Sequence, residues 1–137
     1  GCTLECQARK LGNGLNGVKP ELGFMKMDGK EVFKFAVRKV PEIVEDILKE
    51  AEMTPEEIKY FVLHQANYRI LEAASRRLKI PMEKIPVNID RYGNTSAASI
   101  PILLDEMKQE GKLKRGDKLV LAGFGSGMTW GATLLEW

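Results

Sequence analysis

Apolar residues recur at helical spacing in several stretches of the chain, and polar residues fill the positions between them. The first stretch follows residues 28–31 (DGKE), where an Asp with a Glu three positions later is typical of a helix start. Pro41 lies inside this stretch and predicts a kink or a break in the helix. A shorter helix is predicted to begin at 54–57 (TPEE), and further helices are predicted at about 67–79 and 96–109.

Continuous apolar runs at 60–63 and 118–123 predict strands that are covered on both faces. Further strands are predicted within 2–8 and 129–137, and a short extended piece at 85–89. Helices and strands therefore alternate along the chain. This alternation predicts an α/β architecture, a sheet with helices against its faces.

Length and composition fit one soluble domain. The chain has 137 residues, of which 44% are hydrophobic and 29% charged. A net charge of +2 is too small to indicate binding to nucleic acid or to a membrane surface. No apolar run approaches the ~20 residues of a membrane span, and the first residues lack the pattern of a signal peptide. A cytoplasmic protein is expected.

Cys2 and Cys6 are the two cysteines of the chain. No His or further Cys lies near them in sequence, so a metal site is not expected. A catalytic thiolate needs a helix N-terminus or a neighbouring cation, and residues 1–17 show no strand–turn–helix pattern. Two thiols without a catalytic role are the expected interpretation.

Two residues with neutral hydrogen-bond donor side chains are predicted where a buried strand ends and a helix begins. His64, the single histidine, comes directly after the strand at 60–63, and Asn94 is predicted at a second such place, before the helix at 96–109. Ligands of α/β sheets gather beyond the carboxyl ends of strands. Two such donors can stabilise the negative charge on the oxygen of a thioester enolate. Taken alone, Asn94 is also typical of a turn and helix cap. Residues 97–99 are expected mainly to permit close helix packing, and the glycine loop at 123–127 lacks the Lys-Ser/Thr ending of a P-loop.

Three spaced motifs carry a family resemblance: residues 64–67 (HQAN), 90–99 (DRYGNTSAAS) and 123–131 (GFGSGMTWG). Together they resemble the C-terminal half of β-ketoacyl-acyl-carrier-protein synthase III, an enzyme of the thiolase fold. Residues 27–34 (MDGKEVFK) are similar to the segment that begins the first helix of that half. The resemblance runs from about Gly23 onward and implies a single C-terminal thiolase-like domain over 1–137, with a mixed sheet covered by helices; residues 1–22 match less well.

The resemblance implies a decarboxylative Claisen condensation in the initiation of fatty-acid synthesis. In the family, an acyl group passes from coenzyme A to a cysteine, and the enolate formed by decarboxylation of malonyl-carrier protein attacks it. His64 and Asn94 carry over as the two donors to the malonyl thioester oxygen. The backbone N–H of Ser126 carries over as a donor to the acyl-cysteine carbonyl. No metal and no cofactor are implied, since the coenzyme A thioester is a substrate.

The binding residues implied by the resemblance form two groups. The pantetheine tunnel would be lined by Met27, Gly29, Phe33, Ala66, Asn67 and Phe124. An acidic acyl carrier protein would meet Lys34, Arg69, Arg76 and Arg77, mainly through faster encounter. A solvated helix face is the other interpretation of these basic residues.

The nucleophilic cysteine of the family belongs to an N-terminal half that this sequence does not contain. The chain is then a fragment or pairs with a separate chain, and by itself is expected to be inactive. An uncovered domain interface predicts that it dimerises or aggregates. Two alternatives stay open: a thiolase-fold condensing enzyme of secondary metabolism, and a non-catalytic module that binds an acyl carrier or a partner chain.

Overall fold

The computed structural model describes residues 4–6 and 25–137, with side chains from Lys26 onward. Its strands and α-helices, in chain order, are β1 (Leu4–Cys6), β2 (Met25–Met27), α1 (Gly29–Glu50), β3 (Tyr60–Leu63), α2 (Tyr68–Leu78), α3 (Ile89–Tyr92), α4 (Ser99–Gln109), β4 (Lys118–Gly125) and β5 (Thr129–Glu136). Single turns of 3₁₀ helix connect several of them, at Pro55–Glu57, Met82–Lys84, Ser96–Ala98 and Ser126–Met128. The predicted alternation of helices and strands is confirmed.

A mixed three-stranded sheet in the order β3-β4-β5 organises the described part of the chain. β3 runs parallel to β4, and β5 returns antiparallel from β4. The carboxyl ends of β3 and β4 and the first residues of β5 therefore lie at the same edge of the sheet. β1 pairs with β2 in a separate two-stranded ribbon, which agrees with the strand predicted within residues 2–8.

Helices cover the two faces of this sheet. On one face α1 and α2 pack against inward-facing residues of β3 and β4, among them Phe61, Leu63 and Val120. On the other face Leu103 and Met107 of α4 join a second core cluster. Successive residues of a strand point to opposite faces, so a strand buried on both faces is apolar throughout. This explains why the continuous apolar runs predicted β3 and β4 correctly.

The start of α1 agrees with the predicted helix start. The Asp28 carboxylate accepts hydrogen bonds from the backbone N–H groups of Lys30 and Glu31, both at 3.1 Å. These bonds satisfy two of the donors that a helix N-terminus leaves open. The Glu31 carboxylate does not reach back to close a capping box but pairs with Lys34 at 2.7 Å.

Of the kink or break predicted at Pro41, the break is wrong, because α1 continues through this residue over 22 residues. Proline lacks the N–H that would bond to the carbonyl of Val37, which weakens one turn of the helix. The Pro41 ring is fully buried against the core, alongside Val40 and Val44. Burial of this apolar face compensates for the lost hydrogen bond.

The structure differs from two further predictions. Residues 85–89 form no strand; a 3₁₀ turn at Met82–Lys84 and the one-turn helix α3 flank an irregular segment. The helix predicted from 54–57 is a single 3₁₀ turn, in which Glu57 Oε2 accepts from the Thr54 N–H at 2.8 Å. Cys2 and the side chain of Cys6 lie outside the described residues.

Candidate active site

His64 directly follows β3, and the sheet continues into it through a hydrogen bond from its N–H to the carbonyl of Ala122 at 2.9 Å. The imidazole is partly buried, and this burial lowers its pKa below the ordinary value of 6.5. The ring is therefore neutral near pH 7. Its Nδ1 lies 2.6 Å from Ser99 Oγ, and its ring centroid lies 5.4 Å from that of Phe124, with the two ring planes inclined at 70°.

The prediction that Asn94 follows a buried strand is wrong, because the one-turn helix α3 precedes it and Asn94 is held in a turn between α3 and α4. Gly93, which ends α3, has φ +67°, a conformation that favours glycine. The Asn94 Oδ1 accepts the backbone N–H of Ser96 at 2.9 Å. This hydrogen bond orients the amide, whose Nδ2 group carries its N–H donors and can donate to a ligand.

One cavity of about 820 Å³ brings the two donors together at the edge of the sheet. Its lining includes all nine residues proposed for catalysis, the oxyanion position and the tunnel: Met27, Gly29, Phe33, His64, Ala66, Asn67, Asn94, Phe124 and Ser126. The sequence-based selection therefore converges on one site, from four separate segments of the chain. The cavity is largely apolar, with few polar groups, which is typical of a small-molecule site.

Other residues of the lining were not selected from the sequence. They come mainly from the sheet edge and the start of α4: Val32, Ile70, Ser96, Ala97, Ser99, Ile100, Gly123, Gly125, Thr129, Trp130 and Gly131. Trp130 is half exposed, stacks edge-on against Phe35 at 5.5 Å and lies under the Lys39 ammonium at 5.3 Å. β5 starts at the same edge of the sheet at which β3 and β4 end. The assumption that β5 runs antiparallel to β4 would have placed the first residues of β5 beside His64 from the sequence alone.

The expectation that residues 97–99 serve close helix packing is only partly right. Ala97 and Ala98 are exposed, whereas Ser99 is 2% exposed. The Ser99 hydroxyl contacts the His64 ring and accepts the backbone N–H of Gln65 at 3.3 Å. Ser99 thus belongs to the surroundings of the imidazole.

Gln65 ties the end of β3 to the segment that leads into α3. Its side chain is fully buried. The amide Nε2 donates to the carbonyls of Leu63 and Pro86, at 2.9 and 3.3 Å, and Oε1 accepts the backbone N–H of Asn88 at 3.1 Å. All polar groups of this side chain are satisfied, which is what burial of an amide requires.

Glu106 of α4 gathers three donors from the segment before Asn94. Its carboxylate accepts from Asn88 Nδ2 at 2.6 Å, Arg91 at 2.8 Å and the Tyr92 hydroxyl at 2.9 Å. The hydrogen bond from Asn88 is the main reason why the pKa of Glu106 is lowered. The same helix therefore contacts His64 through Ser99 and holds the turn before Asn94 through Glu106.

The four basic residues selected for carrier binding lie on α1 and α2, and their surroundings differ. Arg69 and Arg76 are exposed, and their guanidinium groups make no ion pair within the described residues. Arg77 donates to the carbonyl of Arg38 at 3.2 Å and lies 3.9 Å from Glu42. Lys34 pairs with Glu31. The structure brings the residues to neighbouring helices but leaves only two of them without an acidic partner.

No group of three or more His, Cys, Asp or Glu residues in the described ranges, 4–6 and 25–137, is arranged to hold a metal ion. Among the helices in these ranges, none combines the length and apolar character needed to cross a membrane.

A family model described as "3-Oxoacyl-[acyl-carrier-protein (ACP)] synthase III C terminal" matches residues 48–137. The chain belongs to this family. The match contains His64, Asn94 and the loop at 123–127, which is where the resemblance was noted from the sequence. The recognition of this family from its motifs is confirmed.

Individual relatives agree with the family match. The chain is 54% identical over 111 residues to the beta-ketoacyl-[acyl-carrier-protein] synthase III of Synechocystis, covering 81% of this chain and 34% of that protein. The structure of the corresponding Aquifex aeolicus synthase is 50% identical with a TM-score of 0.82, over 84% of this chain and 37% of that one. The Thermus thermophilus structure is 43% identical with a TM-score of 0.86, over 98% and 41%.

The thiolase-like α/β fold is thereby confirmed for the described residues. The chain spans only 34% to 41% of the length of these three relatives. The relatives' full length therefore includes much that has no counterpart in this chain.

Proposed function

We propose that this chain is the part of a β-ketoacyl-acyl-carrier-protein synthase III that holds the malonyl thioester while it loses carbon dioxide. The nucleophilic cysteine would come from the portion of the enzyme that corresponds to the rest of the relatives' length. The complete enzyme would condense an acyl-coenzyme A with malonyl-carrier protein at the start of fatty-acid synthesis. By itself the chain would transfer no acyl group.

The observation that carries this proposal is the shared cavity of His64 and Asn94. Decarboxylation breaks the carbon–carbon bond to the carboxylate as carbon dioxide leaves. The electron pair of that bond forms the enolate, whose negative charge lies on the thioester oxygen. Two neutral donors aimed at that oxygen stabilise the charge without having to change protonation state. His64 is suited to this role because its lowered pKa keeps it neutral. Asn94 is suited because its Nδ2 group donates without titrating, while its Oδ1 is anchored by the Ser96 N–H.

The enolate carbon would then attack the acyl-cysteine carbonyl, form the new carbon–carbon bond and expel the cysteine thiolate. We assign the backbone N–H of Ser126 to the oxygen of that carbonyl, with the N–H of the nucleophile itself as the second donor. Ser126 follows β4 at the same edge of the sheet as His64. No metal or further cofactor takes part in these steps.

Substrate delivery would use the cavity and the basic helices beside it. Met27, Gly29, Phe33, Ala66, Asn67 and Phe124 would line the path of the pantetheine arm. Arg69 and Arg76 would contribute most to the attraction of an acidic carrier protein, since neither has an acidic partner within the described residues. Lys34 and Arg77 would contribute less, because Glu31 and Glu42 lie beside them. We place the enzyme in the cytoplasm, as a homodimer.

Complementation tests the proposal. The N-terminal half of the Aquifex aeolicus synthase is fused in frame before this chain, and condensation of acyl-coenzyme A with malonyl-carrier protein is measured. Product formation is expected in the fusion and not in the chain alone. His64→Ala and Asn94→Ala should abolish most of it. Gln109→Ala should retain it, because within the described residues the Gln109 amide bonds only to Asp105 on the surface.

Three results would contradict the proposal. A stable acyl adduct on Cys2 or Cys6 of the isolated chain, together with condensation, would show that no second half is needed. Binding of the carrier protein without any condensation in the folded fusion would favour a non-catalytic module. Condensation with an acceptor other than malonyl-carrier protein would favour a thiolase-fold enzyme of secondary metabolism.

A further inference from the structure

Ser99 is a buried polar residue whose hydroxyl contacts the His64 imidazole. It begins α4 and is 2% exposed. Its Oγ lies 2.6 Å from His64 Nδ1 and 3.3 Å from the backbone nitrogen of Gln65. Because α4 packs against β3 through Leu103 and Met107, the hydroxyl is held in a fixed place relative to the ring.

The hydrogen atoms around this hydroxyl can be assigned from the available partners. The Gln65 N–H can only donate, so Ser99 Oγ accepts from it. The hydroxyl hydrogen of Ser99 then needs an acceptor, and among the described residues His64 Nδ1 is the one within hydrogen-bond distance. A neutral imidazole accepts at one nitrogen and carries its proton on the other.

The alternative tautomer is unfavourable in this environment. With a proton on Nδ1, Ser99 Oγ would receive two N–H donors and its own buried hydrogen would have no acceptor. Leaving a buried donor without a partner gives a preference of roughly tenfold or more for the arrangement that satisfies it. The burial of the ring, which lowers the pKa of His64, keeps the ring in the neutral form in which the tautomers differ.

We propose that Ser99 is a positioning residue, which donates to His64 Nδ1 and thereby keeps the imidazole proton on Nε2, the nitrogen left to meet an oxygen in the cavity. This inference deepens the proposed function and rests on it for the identity of that oxygen. Ser99 itself does not touch the substrate in this scheme. It decides which nitrogen of His64 is the donor.

The single histidine of the chain makes the tautomer directly measurable. Uniformly ¹⁵N-labelled chain is studied at neutral pH by long-range ¹H–¹⁵N correlation, in which one imidazole gives one pattern. We expect Nδ1 to have the shift of an unprotonated nitrogen and Nε2 that of a protonated one. A wild-type spectrum with the proton on Nδ1 would overturn the proposal without any variant.

Ser99→Ala removes the donor, and the two ring nitrogens should then move toward an averaged pair of shifts. Ser75→Ala is the matched control, because Ser75 is also buried and its hydroxyl donates to the carbonyl of Ile80 at 2.7 Å, away from His64. The control should keep the wild-type pattern. An unchanged Nε2–H pattern in folded Ser99→Ala would contradict the proposed role of Ser99.

A kinetic measurement in the fused enzyme separates this inference from the proposed function. Ser99→Ala should lower kcat for carbon dioxide release about tenfold or more and leave KM for malonyl-carrier protein near its original value. A fusion that never condenses would defeat the proposed function, while the tautomer spectrum would still decide the role of Ser99. A raised KM with unchanged kcat would argue against it.

Discussion

Replacing Glu106 with Ala is predicted to destabilise the chain and to loosen the turn that carries Asn94. The carboxylate accepts from Asn88, Arg91 and Tyr92, all of which lie in or just before α3. Arg91 and Tyr92 are exposed, so water can replace the lost acceptor and their share of the stabilisation is small. Asn88 differs, because it is 2% exposed.

The loss of stability in Glu106→Ala therefore depends mainly on the Asn88 amide. A buried donor left without an acceptor costs about 1–3 kcal/mol, and this is the expected loss in the free energy of unfolding of Glu106→Ala. Glu106→Gln should lose less, since its amide oxygen can still accept from Asn88. Glu110→Ala is the matched control, because Glu110 pairs with Lys112 at 2.6 Å on the surface, with about half of both side chains exposed.

Urea unfolding followed by circular dichroism measures these differences, and its pH dependence adds a second test. The pKa of folded Glu106 is lowered, so the stabilisation is present above the unfolded-state value of about 4.3 and is lost as the pH falls through the folded-state value. The gap between wild type and Glu106→Ala should thus narrow in acid, although a protonated Glu106 can still accept from Asn88. A loss no larger than that of Glu110→Ala at pH 7 would refute the reasoning.

Three further predictions concern other residues around the site. Gln65→Leu should reduce the free energy of unfolding by about 1–3 kcal/mol in urea, because the buried N–H of Asn88 loses its acceptor; an unchanged midpoint would contradict this. Lys84→Met should also lower the urea midpoint, since its ammonium donates to the carbonyls of Pro55, Glu56 and Ile58 at 2.8–3.1 Å. Lys108→Met, at an exposed position of α4, should leave the midpoint unchanged. The pKa of His64 is lowered by burial, so stability should fall as the pH drops below about 6.5, and His64→Gln should flatten that slope; an equal slope in both proteins would show that another group is responsible.

Much of the fold follows from local patterns that the sequence displays. β3 and β4 are apolar throughout because helices cover both faces of the sheet, and α2 shows the spacing of one buried face. Asp28 marked the start of α1 correctly, since an N-cap depends on a few neighbouring residues. α3 escaped prediction because a single helical turn has too few positions to show a period.

The candidate site likewise contains residues that the sequence identified and contacts that it did not predict. Residues within motifs, such as His64, Asn94 and Phe124, were selected from the sequence and line one cavity. Ser99 and Glu106 were not assigned their contacts, because these depend on how α4 packs against segments far away in sequence. Ser99 meets His64 across 35 positions, and Glu106 meets Asn88 across 18. No local spacing rule encodes contacts of that range.

Carbon dioxide release from malonyl-carrier protein by the fused enzyme tests most directly whether His64 and Asn94 hold the same oxygen. Each single Ala variant should lose about 10²–10³-fold in rate, as expected for one donor to an oxyanion. The double variant should lose less than the product of the two single losses, because donors to one atom act as a unit. Losses that multiply fully, or a normal rate in either single variant, would contradict a shared oxygen.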